Sequence, residues 1–168
     1  MNTETPGTDT ESEVLIVGAG PAGLMLANIL GMYGRSVTVL EAMDRLIDYP
    51  RGVGLDDESF RTIQTVGLVD AIRPHTTPQH IMRLVNGASK VILVNNPQTD
   101  EFGWHRKHGF IQPEADKALY EGLSRFGHVR VLFGHRVEDV AETADGVTAI
   151  ALVAGPNGEL EERRFGAR

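Results

Sequence analysis

Val14-Leu15-Ile16-Val17-Gly18-Ala19-Gly20-Pro21-Ala22-Gly23-Leu24 decides the fold, because an unbroken apolar run stands directly before a glycine cluster and an apolar segment directly after it. Val14 to Val17 has no polar face, the pattern of a central parallel strand covered on both sides. Gly18 to Gly23 form the turn. Leu24-Met25-Leu26-Ala27-Asn28-Ile29-Leu30 then continues as a mostly apolar helix that ends near Gly31 and Gly34. Val37-Thr38-Val39-Leu40 is short and rich in β-branched residues, hence a second strand, and Val14 to Leu40 makes a βαβ unit of minimal length. The fold class is α/β.

Gly18-Ala19-Gly20-Pro21-Ala22-Gly23 fits G-x-G-x-x-G, and each glycine has a mechanical task. Gly18 makes the tight turn, Gly20 lets a pyrophosphate approach the backbone, and Gly23 lets the helix pack on the strand. Pro21 and Ala22 open the helix, whose first N–H groups are unpaired and carry the positive end of its dipole. Glu41 lies 18 residues past Gly23 at the end of the second strand, where a carboxylate accepts both hydroxyls of an adenosine ribose. Strand, turn, helix, strand and acid together describe a Rossmann-like dinucleotide-binding unit rather than an unrelated glycine-rich turn. FAD and NAD present the same ADP moiety to this turn, so the geometry alone leaves the two open.

Outward from this unit the pattern loosens. Tyr49 to Gly54 reads as a loop and Asp56 to Val66 as a helix with Phe60 and Ile63 on one side. Ile81 to Val85 and Val91 to Val94 are strand-like around Asn86-Gly87, which suits a hairpin, so residues 81–110 read as a β-rich insertion. Pro113 suits the first position of a further helix, with Ala115, Leu119, Leu123 and Phe126 on one stripe and Gly127 after it. Val129 to Phe133, Arg136 to Glu142 and Val147 to Val153 are strands. Asp145-Gly146 and Gly155-Pro156-Asn157-Gly158 are hairpin turns. Met1 to Glu13 is polar, without an apolar core or an arginine, and reads as a disordered tail rather than a signal or transit peptide.

Composition excludes several functions. Sixteen basic against 23 acidic residues give a net charge of -7, which repels nucleic acid and anionic lipid. No apolar run reaches the ~18 residues a membrane span needs. The absence of cysteine removes disulfides, thiolate metal sites and cysteine nucleophiles, and fits a cytoplasmic location. His105 and His108 are a candidate metal pair without a third ligand, and the expected setting is a solvated loop; Trp104 and Phe110 are expected to pack rather than stack on substrate.

Val-Gly-Ala-Gly-Pro-Ala-Gly-Leu at 17–24 with Val-Leu-Glu at 39–41 resembles the N-terminal FAD fingerprint of the single-component flavoprotein hydroxylases of aromatic compounds. The loop Pro50 to Ser59 resembles that family's branch acting on 3-(3-hydroxyphenyl)propionate and similar phenols, as do Gly103-Trp104 and Phe110 to Pro113. The resemblance implies FAD as cofactor and NAD(P)H as co-substrate, with a small aromatic substrate and O2 as partners. The implied reaction hydroxylates the ring through a flavin C4a-hydroperoxide. It carries to Arg51 a place near the flavin and its pyrophosphate, and to Gln112 a contact with the ribityl chain. Against these stand an exposed loop arginine and a simple helix-start residue. It assigns no catalytic residue outright: Asp56 is the candidate near the isoalloxazine, with an ordinary helix N-terminus as the other reading.

Two further signatures of that family, an Asp-Gly motif followed by Ser and Arg and a later Gly-Asp motif, are not in the sequence. They are expected beyond Arg168. Residues 14–168 are therefore expected to be the N-terminal part of an FAD-binding domain with the start of a substrate-side β insertion, and inactive in isolation. An NAD-dependent dehydrogenase shares Gly18, Gly20, Gly23 and Glu41 but has no use for Arg51 or Gln112. A nucleotide-binding fragment that self-associates through unpaired strand edges is the remaining alternative.

Overall fold

The computed structural model describes residues 10–155 and 157–168, with Thr10 and Thr143 described through their backbones only. The chain divides into two units, one of residues 1–47 with 119–168 and one of residues 48–118. The first opens with β1 (Thr10–Ser12), β2 (Val14–Val17), α1 (Pro21–Met32) and β3 (Val37–Leu40). The polar tail expected through Glu13 thus gives way to a strand at Thr10, held by its partner rather than by its own propensity; residues 1–9 of that expected tail lie outside the described residues. α1 stops where Gly34 takes a φ of +71° and its N–H bonds the Gly31 carbonyl, a conformation glycine adopts without a Cβ penalty.

The second unit carries β4 (Gly54–Asp56), α2 (Asp57–Thr65), α3 (Val69–Ile72), β5 (Thr76–Pro78), β6 (Met82–Val85), β7 (Val91–Asn95) and β8 (Lys107–Phe110). β8 is the middle strand of an antiparallel sheet between β4 and β5. α2 turns Phe60 and Ile63 inward, as its apolar period requires. β6 and β7 form the expected hairpin, but not through a two-residue Asn-Gly turn. Asn86 Oδ1 accepts the N–H groups of Ala88 and Lys90, and Ser89 rather than Gly87 takes the positive φ. The longer loop is an Asx-type turn.

α4 (Gln112–Gly122) crosses between the units at Ala118 and Leu119, with Pro113 at its second position. The first unit then continues with β9 (Val129–Leu132), β10 (His135–Thr143), β11 (Gly146–Ala154) and β12 (Leu160–Ala167). β2, β3 and β9 form a parallel sheet with β3 in the middle. β3 is buried along its whole length, whereas Val17 of β2 is 61% exposed. The central position expected for Val14–Val17 therefore belongs to β3, because among the described residues β2 pairs with β3 alone. β10, β11 and β12 are an antiparallel meander, and β1 runs parallel to the edge of β12. Leu40, Ala149, Ala151 and Phe165 bury together, with Leu15, Leu132 and Val137 against them, so meander and parallel sheet share one core.

Candidate functional site

Backbone geometry at the glycine turn matches the turn task of Gly18 and the packing task of Gly23, and leaves open space at Gly20. Gly18 has a φ of +99°, a region that side chains rarely occupy, and its N–H donates to the Leu40 carbonyl at 2.8 Å. A Cβ on Gly23 would sit 2.1 Å from the Gly18 carbonyl oxygen and 3.2 Å from Ile16 Cγ2, so the close approach of helix to strand requires glycine there. A Cβ on Gly20 would meet nothing within 4 Å among the described residues. That open space lies at the N-terminus of α1, whose cap residue is Gly20 itself and which no side chain caps among the described residues. Pro21 has no N–H to leave unpaired, and the N–H groups of Ala22 and Gly23 have no carbonyl one turn back. The result is a cradle with donors, positive dipole and room for a phosphate group.

Glu41 follows β3 directly and turns back over the glycine turn. Its Oε2 accepts the Ala19 N–H at 2.7 Å and its Oε1 accepts the Met43 N–H at 2.8 Å. Each oxygen keeps a lone pair for a further donor, so the carboxylate stays competent for ribose hydroxyls while the backbone fixes its position. The sequence brought Gly18, Gly20, Pro21, Ala22, Gly23 and Glu41 together as one group, and the structure does the same. A buried residue in this unit escaped that reading: Asn28 on α1 donates from Nδ2 to the carbonyls of Leu24 and Leu119, both at 2.9 Å, and accepts from Arg125 Nη2 at 2.8 Å. A polar side chain on the buried stripe of an apolar helix was the available signal.

In the second unit, Gln112 gathers the Arg51 loop. Its Oε1 accepts the backbone N–H of Arg51 at 2.8 Å and that of Gly52 at 2.6 Å, and its Nε2 donates to Asp116 Oδ2 at 3.2 Å. Gln112 and Asp116 are both buried, and Arg51 is exposed. Burial pushes the Asp116 carboxyl up from its ordinary range, opposed by the Gln112 hydrogen bond and the Arg51 charge. The capacity of the Gln112 amide for a further partner is narrow: its carbonyl lone pairs hold the loop, and one N–H remains.

Asp56 is the cap of α2, its Oδ1 accepting the Ser59 N–H at 2.8 Å, and the Ser59 hydroxyl first, then that backbone N–H, hold the carboxyl below its usual value. The helix-terminus reading thus describes its geometry. His108 departs from the solvated loop expected for it. It is 4% exposed, stacks on Phe60 with ring centroids 4.0 Å apart, and stands 5.8 Å from the His105 ring. Trp104 packs on Phe60 at 5.1 Å and donates to Gln64, a packing role as expected. Among the described residues no cluster of three or more metal-ligating side chains occurs, and no helix is long and apolar enough to cross a membrane.

A family model described as an FAD binding domain matches residues 11–164. The chain belongs to that FAD-binding family. Membership decides the choice the turn left open: FAD rather than NAD is the dinucleotide of the family. A 3-(3-hydroxy-phenyl)propionate/3-hydroxycinnamic acid hydroxylase from Klebsiella pneumoniae is 48% identical over 168 residues, covering 98% of this chain and 30% of that protein. The enzyme of the same description from Paraburkholderia xenovorans is 54% identical over 137 residues, 82% of this chain and 22% of that protein. The chain therefore spans less than a third of the length of these curated relatives. The solved structure of p-nitrophenol 4-monooxygenase from Pseudomonas putida superposes with a TM-score of 0.76 at 25% identity, covering 93% of this chain and 40% of that one.

Proposed function

We propose that residues 1–168 supply the adenosine and pyrophosphate end of the FAD site of an NAD(P)H-dependent aromatic hydroxylase acting on a phenolic acid in the cytoplasm. One observation carries this reading: open space above Gly20 at the uncapped start of α1, with the Glu41 carboxylate fixed 2.7 Å from the Ala19 nitrogen. The backbone N–H groups of Ala22 and Gly23 bind the pyrophosphate there without needing a cation, and Glu41 accepts the ribose hydroxyls. A ribose 2′-phosphate is repelled by that carboxylate. In the second unit, Arg51 offers a planar, permanently charged fork to phosphate oxygens, and Gln112 offers a ribityl hydroxyl its remaining N–H. Likeness to hydroxylases of 3-(3-hydroxy-phenyl)propionate at about half identity supports the substrate class.

When bound, FAD supplies the redox chemistry: two electrons from NAD(P)H go to O2, one oxygen atom enters the ring as a hydroxyl and the other leaves as water. This chain's residues bind and orient; none is assigned to the oxygen transfer. Residues 1–168 span 30% of the Klebsiella relative.

Fluorescence anisotropy of FAD on addition of the chain tests the assignment. ADP is expected to displace FAD and riboflavin is not. Displacement by riboflavin as effectively as by ADP, or formation of hydroxylated phenol in step with NAD(P)H loss, would overturn it.

A further inference from the structure

Asp116 is buried beneath the loop-holding amide and uses one carboxylate oxygen on it: Oδ2 accepts from Gln112 Nε2, while Oδ1 is buried without a hydrogen-bond partner among the described residues. A half-satisfied buried acid costs stability, and an apolar residue would pack on this helix face without that cost. What the acid provides is direction. An amide has two orientations, and Gln112 holds the loop only with Oε1 toward the N–H groups of Arg51 and Gly52. An acceptor on the opposite side pins Nε2 there, and the spacing of four residues places both side chains on one face of α4.

We propose that Asp116 is a positioning residue which, through Gln112, fixes the Arg51–Gly52 turn in place. The chain of contacts is short: Asp116 Oδ2 to Gln112 Nε2, then Gln112 Oε1 to two consecutive backbone N–H groups. The turn so held carries the Arg51 guanidinium. That this placement serves a phosphate of FAD rests on the function proposed above; the clamp does not.

Amide hydrogen exchange of the 168-residue chain, followed by NMR without any cofactor, separates the two. The N–H groups of Arg51 and Gly52 are expected to be protected in the unsubstituted chain. Asp116→Leu removes the acceptor and speeds exchange at those two positions by about tenfold, the effect of one weak hydrogen bond to a charged group. Asp116→Asn retains a carbonyl for Nε2 and keeps the protection. The amides of β3 and β11 stay unchanged in both. Unaltered exchange of Arg51 and Gly52 in Asp116→Leu, or equal loss in Asp116→Asn, would overturn the proposal, as would a uniform rise across β3 and β11. Where Asp116→Leu does not fold, the unsubstituted chain decides. The side-chain N–H resonances of Gln112 must then titrate with the Asp116 carboxyl carbon, at a midpoint above the ordinary carboxyl value of 3.8; resonances that ignore that titration would also sink it.

Discussion

Replacing Asn28 by Leu keeps the volume of a buried side chain and removes three hydrogen bonds, so the loss can be worked out term by term. The bond from Arg125 Nη2 to Asn28 Oδ1, at 2.8 Å, has a charged donor and contributes about 2 kcal/mol. The bond to the Leu119 carbonyl contributes about 1 kcal/mol, whereas the Leu24 carbonyl keeps its helical donor and loses little. Burying a leucine in place of an amide offsets about 1 kcal/mol. The net destabilisation is about 2 kcal/mol, a fall in Tm of about 4–8 °C for a chain of this size. Urea denaturation of Asn28→Leu, of Arg125→Met and of the double variant measures it as a cycle. The expected coupling between the two positions is about 1–2 kcal/mol. A coupling below about 0.5 kcal/mol, or an unchanged midpoint for Asn28→Leu, would refute the view that this amide ties α1 to Arg125 in the turn after α4.

Three further outcomes follow from single positions. Gly20→Val places methyl groups in the open space at the start of α1, so FAD affinity falls at least about tenfold while stability changes by less than about 1 kcal/mol, readable by anisotropy and urea midpoint. Gly31→Ala brings a Cβ to 2.5 Å from Phe126 Cδ2 near the base of the ring, and the strain outweighs the gain in helix propensity by about 1 kcal/mol; a raised Tm would contradict the packing. His108 is held below its ordinary pKa of 6.5, first by burial and then by the His105 charge. Below that pH the unfolded chain takes up a proton that the folded chain resists, so the His108 contribution is fully present above 6.5 and lost as pH falls. The urea midpoint of His108→Phe should fall less between pH 8 and about pH 5.5 than that of the unsubstituted chain, and parallel curves would rule out this cause.

Local signals were legible and pairwise ones were not. The run Val14–Val17, the glycine turn, the strand Val37–Leu40 and Glu41 declare themselves because each depends on its own neighbours in sequence. Thr10–Ser12 is a polar tripeptide that becomes a strand only by pairing with Phe165–Ala167, more than 150 residues away. Val14–Val17 reads as central from its apolarity, yet β3 takes the middle because β9 comes to its other side. The short strands β4, β5 and β8 carry no alternation long enough to detect. At the site, Gln112 stood out in the sequence as a helix-start residue, but not as the holder of the Arg51 loop. Its carbonyl targets lie about 60 positions earlier, and only the i, i+4 spacing of Gln112 and Asp116 hinted at a fixed amide. His108 looked like part of a charged loop because its burial comes from Phe60, which lies on another element.

An amide NMR titration of the 168-residue chain with FAD reads out whether the turn from Gly18 to Gly23 holds the ADP end of the cofactor. The N–H resonances of Ala19, Gly20, Ala22 and Gly23 are expected to move together to saturation while those of β10 to β12 stay in place. Saturating FAD that leaves those four unmoved, or that moves only residues elsewhere in the chain, would contradict it.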